Sequence, residues 1–181
     1  MRGTEKEAAW VIAAQCGDRD ALEQLLRSVQ PPLRRYILRL VGPTAADDVL
    51  QDVLIAIARK LSWLEEPLVF RAWAYRIASR AAFDHLRKEK RRAQQETGDE
   101  LLGAIAAPDA RPSDELLSEL LESDVLSPSS RAVLTLHFQE EMPLGEVAAV
   151  LEIPLGTVKS RLAYGLAALR RYLAQKEHLN G

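Results

Sequence analysis

Three groups of residues in this chain have the types and the spacing to do chemistry. The stretch Gly156-Thr157-Val158-Lys159-Ser160-Arg161-Leu162 follows a short apolar-periodic run, Glu146 to Leu151, and the breaker pair Ile153-Pro154. A helix, a tight turn and a second helix opening with small, polar and basic residues is the pattern of a helix-turn-helix. In that motif the second helix enters the DNA major groove, and its first turns meet base edges and phosphates. Thr157, Lys159, Ser160 and Arg161 occupy those turns. From Pro154 to Tyr172 the only charges are four cations, Lys159, Arg161, Arg170 and Arg171, so the segment suits a polyanion.

The second group is acidic. Asp47, Asp48, Gln51 and Asp52 fall at i, i+1, i+4 and i+5 and share one helix face, with Val49, Leu50, Val53, Leu54 and Ile57 on the buried side. Acids near a helix start favour the macrodipole, which accounts for Asp47 and Asp48 by themselves. Gln51 and Asp52 lie a turn further in and point to a basic protein partner. The third group mixes aromatics with cations. Trp63, Phe70, Trp73, Tyr75 and Phe83 surround the break Glu65-Glu66-Pro67 and the basic helix after it. Aromatic faces beside cations suit unstacked bases, each stack being worth roughly 1–3 kcal/mol. Trp73 and Phe83 are expected in the core, and Trp63 with the loop after it on the surface.

The elements that position these groups are helices. Strand formers are sparse while Ala, Leu, Arg and Glu abound, so the expected class is all-α. With 181 residues, 48% apolar and 28% charged, the chain has material for two small packed domains. No apolar run approaches the roughly 18 residues of a membrane helix, and no basic-then-apolar leader opens the chain. The single cysteine, Cys16, has no internal disulfide partner, and no Cys/His cluster suggests a metal. A cytoplasmic protein without metal or cofactor is expected.

Charge is distributed unevenly. Arg71 to Arg92 holds eight cations against Asp84 and Glu89, whereas Ala93 to Asp124 holds nine acids against Arg111. That asymmetry outweighs the net charge of −2 as a guide to partners. The acidic stretch also carries Gly98, Gly103, Pro108 and Pro112 without a sustained period, as a flexible tether would. The expected division is an N-terminal domain over residues 1–93, a linker over 94–113 and a C-terminal helix-turn-helix domain over 114–181.

Within the first domain, Thr4 to Cys16 reads as a short amphipathic helix. Asp20 with Glu23 resembles a capping box opening a helix to Gln30, which Pro31-Pro32 interrupts before Leu33 to Val41 resumes. Thr44 starts the next helix through Leu61, and Phe70 to Arg92 is the longest, packing Trp73, Ile77, Ala81 and Leu86. In the second domain Asp114 to Asp124 is a helix, Ser127-Pro128 opens another to Phe138, and Pro143 to Leu151 and Leu155 to Ala174 complete the motif.

Taken in this order, the motifs resemble the extracytoplasmic-function group of bacterial RNA polymerase sigma factors, in the sigma-70 family. Ala46 to Val53 looks like that family's acidic polymerase-binding helix. Phe70 to Ala78, with Asp84-His85-Leu86-Arg87, is similar to its promoter-melting and −10-reading helix. Leu126-Ser127-Pro128, Glu146-Val147-Ala148 and Gly156 to Leu162 look like its −35-reading domain. The resemblance covers roughly residues 15 to 95 and 115 to 173.

What the resemblance implies is a protein with no catalytic residues, which binds core RNA polymerase and confers promoter choice. Asp47, Asp48, Gln51 and Asp52 would engage a basic coiled coil of the largest polymerase subunit. The loop from Ser62 to Val69, Trp63 included, would capture a flipped non-template base of the −10 element. Arg71, Arg76, Arg80, Arg87 and Lys88 would hold duplex and melted strand through phosphates. Thr157, Lys159, Ser160 and Arg161 would read the −35 element. An anti-sigma protein is an implied partner. The chain departs from the family where Arg80 replaces a common Asn, where Met142-Pro143 replaces a polar cap, and where Ala163-Tyr164-Gly165-Leu166 replaces further cations. Gly165 inside a helix is expected to cost about 1 kcal/mol relative to Ala.

Two other readings make different demands. A stand-alone helix-turn-helix regulator binding an operator accounts for the C-terminal part but leaves the acidic face and the aromatic-basic helix without a role. A nuclease or phosphotransferase built on Asp47, Asp48 and Asp52 lacks a convergent His or a Gly-rich phosphate loop, with His85, His137 and His178 scattered.

Overall fold

The computed structural model describes residues 5–94, 121, 123 and 125–179, and every regular element among them is helical. The chain divides into two compact units, the first built mainly on residues 1–98 and the second on residues 99–148 and 153–181. The expected linker lies outside the described residues, and so does the expected helix Asp114 to Asp124 apart from Leu121 and Ser123.

In the first unit α1 (Glu5–Gln15), α2 (Arg19–Val41), α3 (Pro43–Lys60) and α4 (Phe70–Gln94) surround one core. Val11, Leu25, Val29, Leu33, Tyr36, Ile37, Val53, Ile57, Phe70 and Tyr75 are fully withdrawn from water. Helix α2 is capped by Asp18, whose Oδ1 accepts from the Ala21 N–H at 3.0 Å, and not by the expected box at Asp20. Gly17, with φ +96°, supplies the turn that puts Asp18 there.

Pro31 and Pro32 do not interrupt α2, contrary to expectation. An interior proline costs about 3 kcal/mol in lost bonding and steric conflict. Burying Leu33, Tyr36, Ile37 and Leu40 in register with Leu25 and Val29 gains roughly 1.5–3 kcal/mol per side chain, so the continuous face wins. Helix α3 begins at Pro43 without a side-chain cap. Gly42, at φ +79°, closes α2 with an N–H to the Leu38 carbonyl at 2.9 Å, and Pro43 brings a helical φ to the next helix's first position. Thr44 is therefore already inside the helix.

Helix α4 packs a different face from the one expected. Phe70, Ala74, Tyr75, Ala78, Ser79 and Ala82 are buried, while Trp73, Ile77, Ala81 and Leu86 are only half-buried. The alanines let neighbouring helices approach, and a polar link fixes the register. Ser79 Oγ donates to the Tyr75 carbonyl at 2.8 Å, which leaves Tyr36 Oη to donate to Ser79 Oγ at 2.8 Å. The rings of Tyr36 and Tyr75 meet edge-on, centroids 5.4 Å apart.

In the second unit Ser127 caps α5 (Pro128–Leu134), its Oγ accepting from the Ser130 N–H at 3.2 Å with Pro128 at the first position, as expected. The expected extent to Phe138 is reached through a π-helical turn, Thr135–Gln139. The carbonyl of Pro143 accepts from Glu146 and Val147 at 2.8 and 3.0 Å, a backbone cap for α6 (Leu144–Leu151). Helix α7 (Leu155–Leu179) outruns the expected end at Ala174. Leu121, Leu126, Leu134 and Leu169 form a core, with Phe138, Leu162, Leu166 and Tyr172 packed against it.

Gly165 sits where α5 crosses α7. A Cβ there would stand 2.6 Å from Leu134 Cδ1 and 3.3 Å from Ser130 Cβ. A side chain at 165 would have to displace Leu134, so the glycine serves the crossing and is more than a plain loss of helix propensity.

Candidate nucleic-acid interface

On α3 the four polar residues Asp47, Asp48, Gln51 and Asp52 are all exposed, and Val49, Leu50, Val53 and Ile57 are buried behind them. They are not equivalent. Asp47 accepts from Arg34 of α2, Nε to Oδ1 at 2.8 Å and Nη2 to Oδ2 at 3.3 Å. These hydrogen bonds, with the guanidinium charge second, hold the Asp47 carboxyl below its ordinary range and raise the pKa of Arg34.

Between α3 and α4 the chain makes two 3₁₀ turns, Leu61–Trp63 and Pro67–Val69. Leu61 and Leu64 are buried, whereas Ser62 and Trp63 between them are exposed, Trp63 at 74%. Two residues of α1 that the sequence did not single out act on this connection. Gln15 Nε2 donates to the carbonyls of Leu61 and Leu64, both at 2.8 Å. Glu7, almost wholly buried, accepts from Arg71 Nε and Nη2 at 2.7–2.9 Å. One signal pointed to Glu7: it falls on the same face of α1 as the buried Ala8 and Val11.

Arg71 is thus engaged in a partly buried ion pair, away from the open presentation expected of a phosphate ligand. Arg80, Arg87 and Lys88 are exposed and Arg76 is half-exposed. Arg87 also bonds Asp84 one turn earlier. At 100° per residue, Trp73, Arg76, Arg80, Phe83 and Arg87 fall in one stripe along α4. Trp73 and Phe83, expected in the core, are half-exposed beside these cations. An aromatic ring partly exposed among guanidinium groups can stack a base while its phosphate is held.

At the start of α7, Lys159 and Ser160 are exposed and Thr157 and Arg161 half-exposed, while Val158 is fully buried and Leu162 packs on the core. The apolar pair at i and i+4 anchors the helix and turns the polar residues outward. Ser160 Oγ donates to the Gly156 carbonyl at 3.0 Å, which engages its hydroxyl hydrogen and leaves the oxygen able to accept. Among the described residues no group of three or more His, Cys, Asp or Glu could hold a metal ion, and no helix is long and apolar enough to cross a membrane.

Comparison with known proteins agrees with this arrangement. Residues 25–92 match the model of sigma-70 region 2, and residues 124–171 match that of sigma-70 region 4. The chain is 30% identical over 186 aligned positions to the RNA polymerase sigma-H factor of Pseudomonas aeruginosa, covering 96% of each chain. It is 28% identical to the ECF RNA polymerase sigma factor SigW of Bacillus subtilis, over 87% of this chain and 91% of that one. Among solved structures, the sigma factor RpoE of Bartonella quintana, crystallised with the anti-sigma factor NepR, shares the fold at TM-score 0.65 and 24% identity, over 84% of this chain and 96% of that one. With two family regions in the order its surfaces require, this chain belongs to the extracytoplasmic-function sigma factors of the sigma-70 family, which associate with RNA polymerase and direct promoter-specific transcription.

Proposed function

We propose that the exposed surfaces divide the work of a sigma factor among named residues. Asp48, Gln51 and Asp52, with Asp47 at the margin, dock on a basic coiled coil of core RNA polymerase. Ser62 and Trp63 take up an unstacked non-template base of the −10 element. Arg76, Arg80, Arg87 and Lys88 hold duplex and melted strand by their phosphates. Thr157, Lys159, Ser160 and Arg161 read the −35 element in the major groove. Arg71 contributes by fixing the start of α4 rather than by touching DNA.

The observation that carries this reading is the mixed stripe on α4. Cations sharing a helix face with two half-exposed aromatic rings offer phosphate contacts and stacking together, which a duplex-only binder has no use for. The work is recognition, and the chemistry of RNA synthesis belongs to the polymerase. Residues 1–93 act as the polymerase-binding and −10 domain and residues 114–181 as the −35 domain, with residues 94–113 between them as tether. Such a protein acts in the cytoplasm, where polymerase and promoters are. An anti-sigma protein, the kind of partner with which the Bartonella sigma factor is crystallised, is a further expected partner.

The test is reconstitution with core RNA polymerase on a genomic library, mapping transcript starts and the shared upstream elements. Asp48→Arg combined with Asp52→Arg is expected to abolish co-purification with core polymerase at an unchanged melting temperature. Promoter-specific transcripts from that double variant at wild-type yield overturn the assignment of the face.

A further inference from the structure

Helix α1 lies outside the residues that match region 2, which begin at 25, yet it grips the connection between α3 and α4 at both ends. On the α3 side, Gln15 donates both amide hydrogens, one to the Leu61 carbonyl and one to that of Leu64. The same turn is closed by the Leu64 N–H on the Leu61 carbonyl at 3.1 Å. Eight residues earlier, about 12 Å along the helix at its usual rise, Glu7 holds Arg71 in the first turn of α4.

Between these pins stands the exposed pair Ser62-Trp63. Its flanking leucines are buried and their carbonyls bridged, so the turn cannot rearrange without breaking the Gln15 bonds. An indole 74% exposed at the tip of such a turn contributes little to the core. A rigid, outward aromatic is what base capture needs, because a loop already in its bound shape loses less entropy on binding.

We infer that Gln15 is a positioning residue for promoter recognition: by bridging the carbonyls of Leu61 and Leu64 it preorganises the turn that offers Ser62 and Trp63 to an unstacked base. The inference rests on the proposed role of that turn in capturing the −10 base. Gln15 itself touches no nucleic acid. Its contribution is the shape of the turn, and through that shape the choice among bases.

The experiment uses holoenzymes carrying the wild-type chain, Gln15→Ala, Gln15→Glu or Trp63→Ala. Each is titrated with a single-stranded oligonucleotide bearing the non-template −10 sequence of a promoter found by transcript mapping, and with versions substituted at each base. Gln15→Glu keeps the side-chain length and removes both donors. Both Gln15 variants are expected to bind about ten-fold more weakly, because the freed turn must be ordered on binding, and to discriminate less among bases. Their affinity for core polymerase stays at the wild-type value, and their melting temperature falls by only a few degrees, the cost of one or two net intramolecular hydrogen bonds. If Trp63→Ala binds weakly but the Gln15 variants match wild type, the positioning role is overturned and the capture reading survives. If Trp63→Ala also matches wild type, the capture reading falls and the inference with it. A loss in the Gln15 variants with base preference intact, whatever the drop in melting temperature, reduces Gln15 to scaffold and overturns the inference.

Discussion

Arg34 on α2 and Asp47 on α3 are joined by two hydrogen bonds, and the pair engages one carboxylate of the exposed acidic face. Because Arg34 favours the ionised form, Asp47 titrates lower in the folded chain than in the unfolded one. The sign follows from linkage: the pair stabilises the fold above the ordinary Asp value, near 4, and that contribution disappears as pH falls through the depressed one. Arg34→Ala should return the Asp47 carboxyl to the ordinary range, read by NMR titration of its side-chain carbon. An unchanged midpoint would mean that the pair does not persist in solution. The same variant should bind core polymerase at least as well as wild type, since Asp48, Gln51 and Asp52 remain outward.

Arg71 and Arg87 look alike in the sequence, both cations on the basic helix, but their surroundings give opposite expectations. Arg71 is 21% exposed against Glu7 at 3%, while Arg87 is 66% exposed. Removing one partner of a largely buried pair leaves a charge uncompensated, at about 3 kcal/mol. Arg71→Ala should therefore lower the melting temperature, and Glu7→Leu with Arg71→Leu should recover most of the loss. Arg87→Ala should leave melting unchanged and weaken promoter binding with a shallower salt dependence. Thermal melts and salt titrations of the three variants decide the matter. A thermally silent Arg71→Ala with a DNA-binding defect would return Arg71 to the phosphate-binding set.

Local pattern was enough wherever one helix carries its own information. The acidic face of α3, the Ser127-Pro128 start and the opening of α7 are all set by residues within a few turns of each other, and each stands where the sequence placed it. The sequence was a poorer guide where a second element decides. Size and hydropathy favour Trp73 and Ile77 as the packed face of α4, but close helix approach selects Ala74, Ala78 and Ala82. Pro31-Pro32 obeys a local rule for breaks that burial on both sides overrides. Arg34's hold on Asp47 and Gln15's on Leu61 and Leu64 span 13, 46 and 49 residues, distances over which spacing carries no signal.

Gly165→Ala tests the helix crossing of the second unit. Propensity by itself says the change stabilises by about 1 kcal/mol. The added methyl, however, meets the side chain of Leu134, which is fully buried and must shift to admit it. Overpacking of a closed core costs roughly 1–3 kcal/mol, so the net effect should be destabilising or close to neutral and never the full propensity gain. Denaturant unfolding of the full-length chain measures it. A stabilised variant would show that α5 and α7 sit further apart in solution than a 2.6 Å approach to Leu134 implies.

Arg161→Ala separates reading from packing at the start of α7. The side chain is half-exposed between the buried Val158 and the core-packed Leu162, so its loss leaves both anchors in place. Melting temperature should hold within the scatter of a surface substitution. A bidentate contact to a base edge discriminates by about 1–3 kcal/mol, so transcription from promoters that depend on the −35 element should fall on the order of ten-fold or more. Promoters whose −35 element is scrambled should lose far less, because the missing contact was never made on them. Run-off transcription from a matched promoter panel reads the difference, and equal losses on intact and scrambled elements would assign Arg161 to the phosphate backbone instead of the bases.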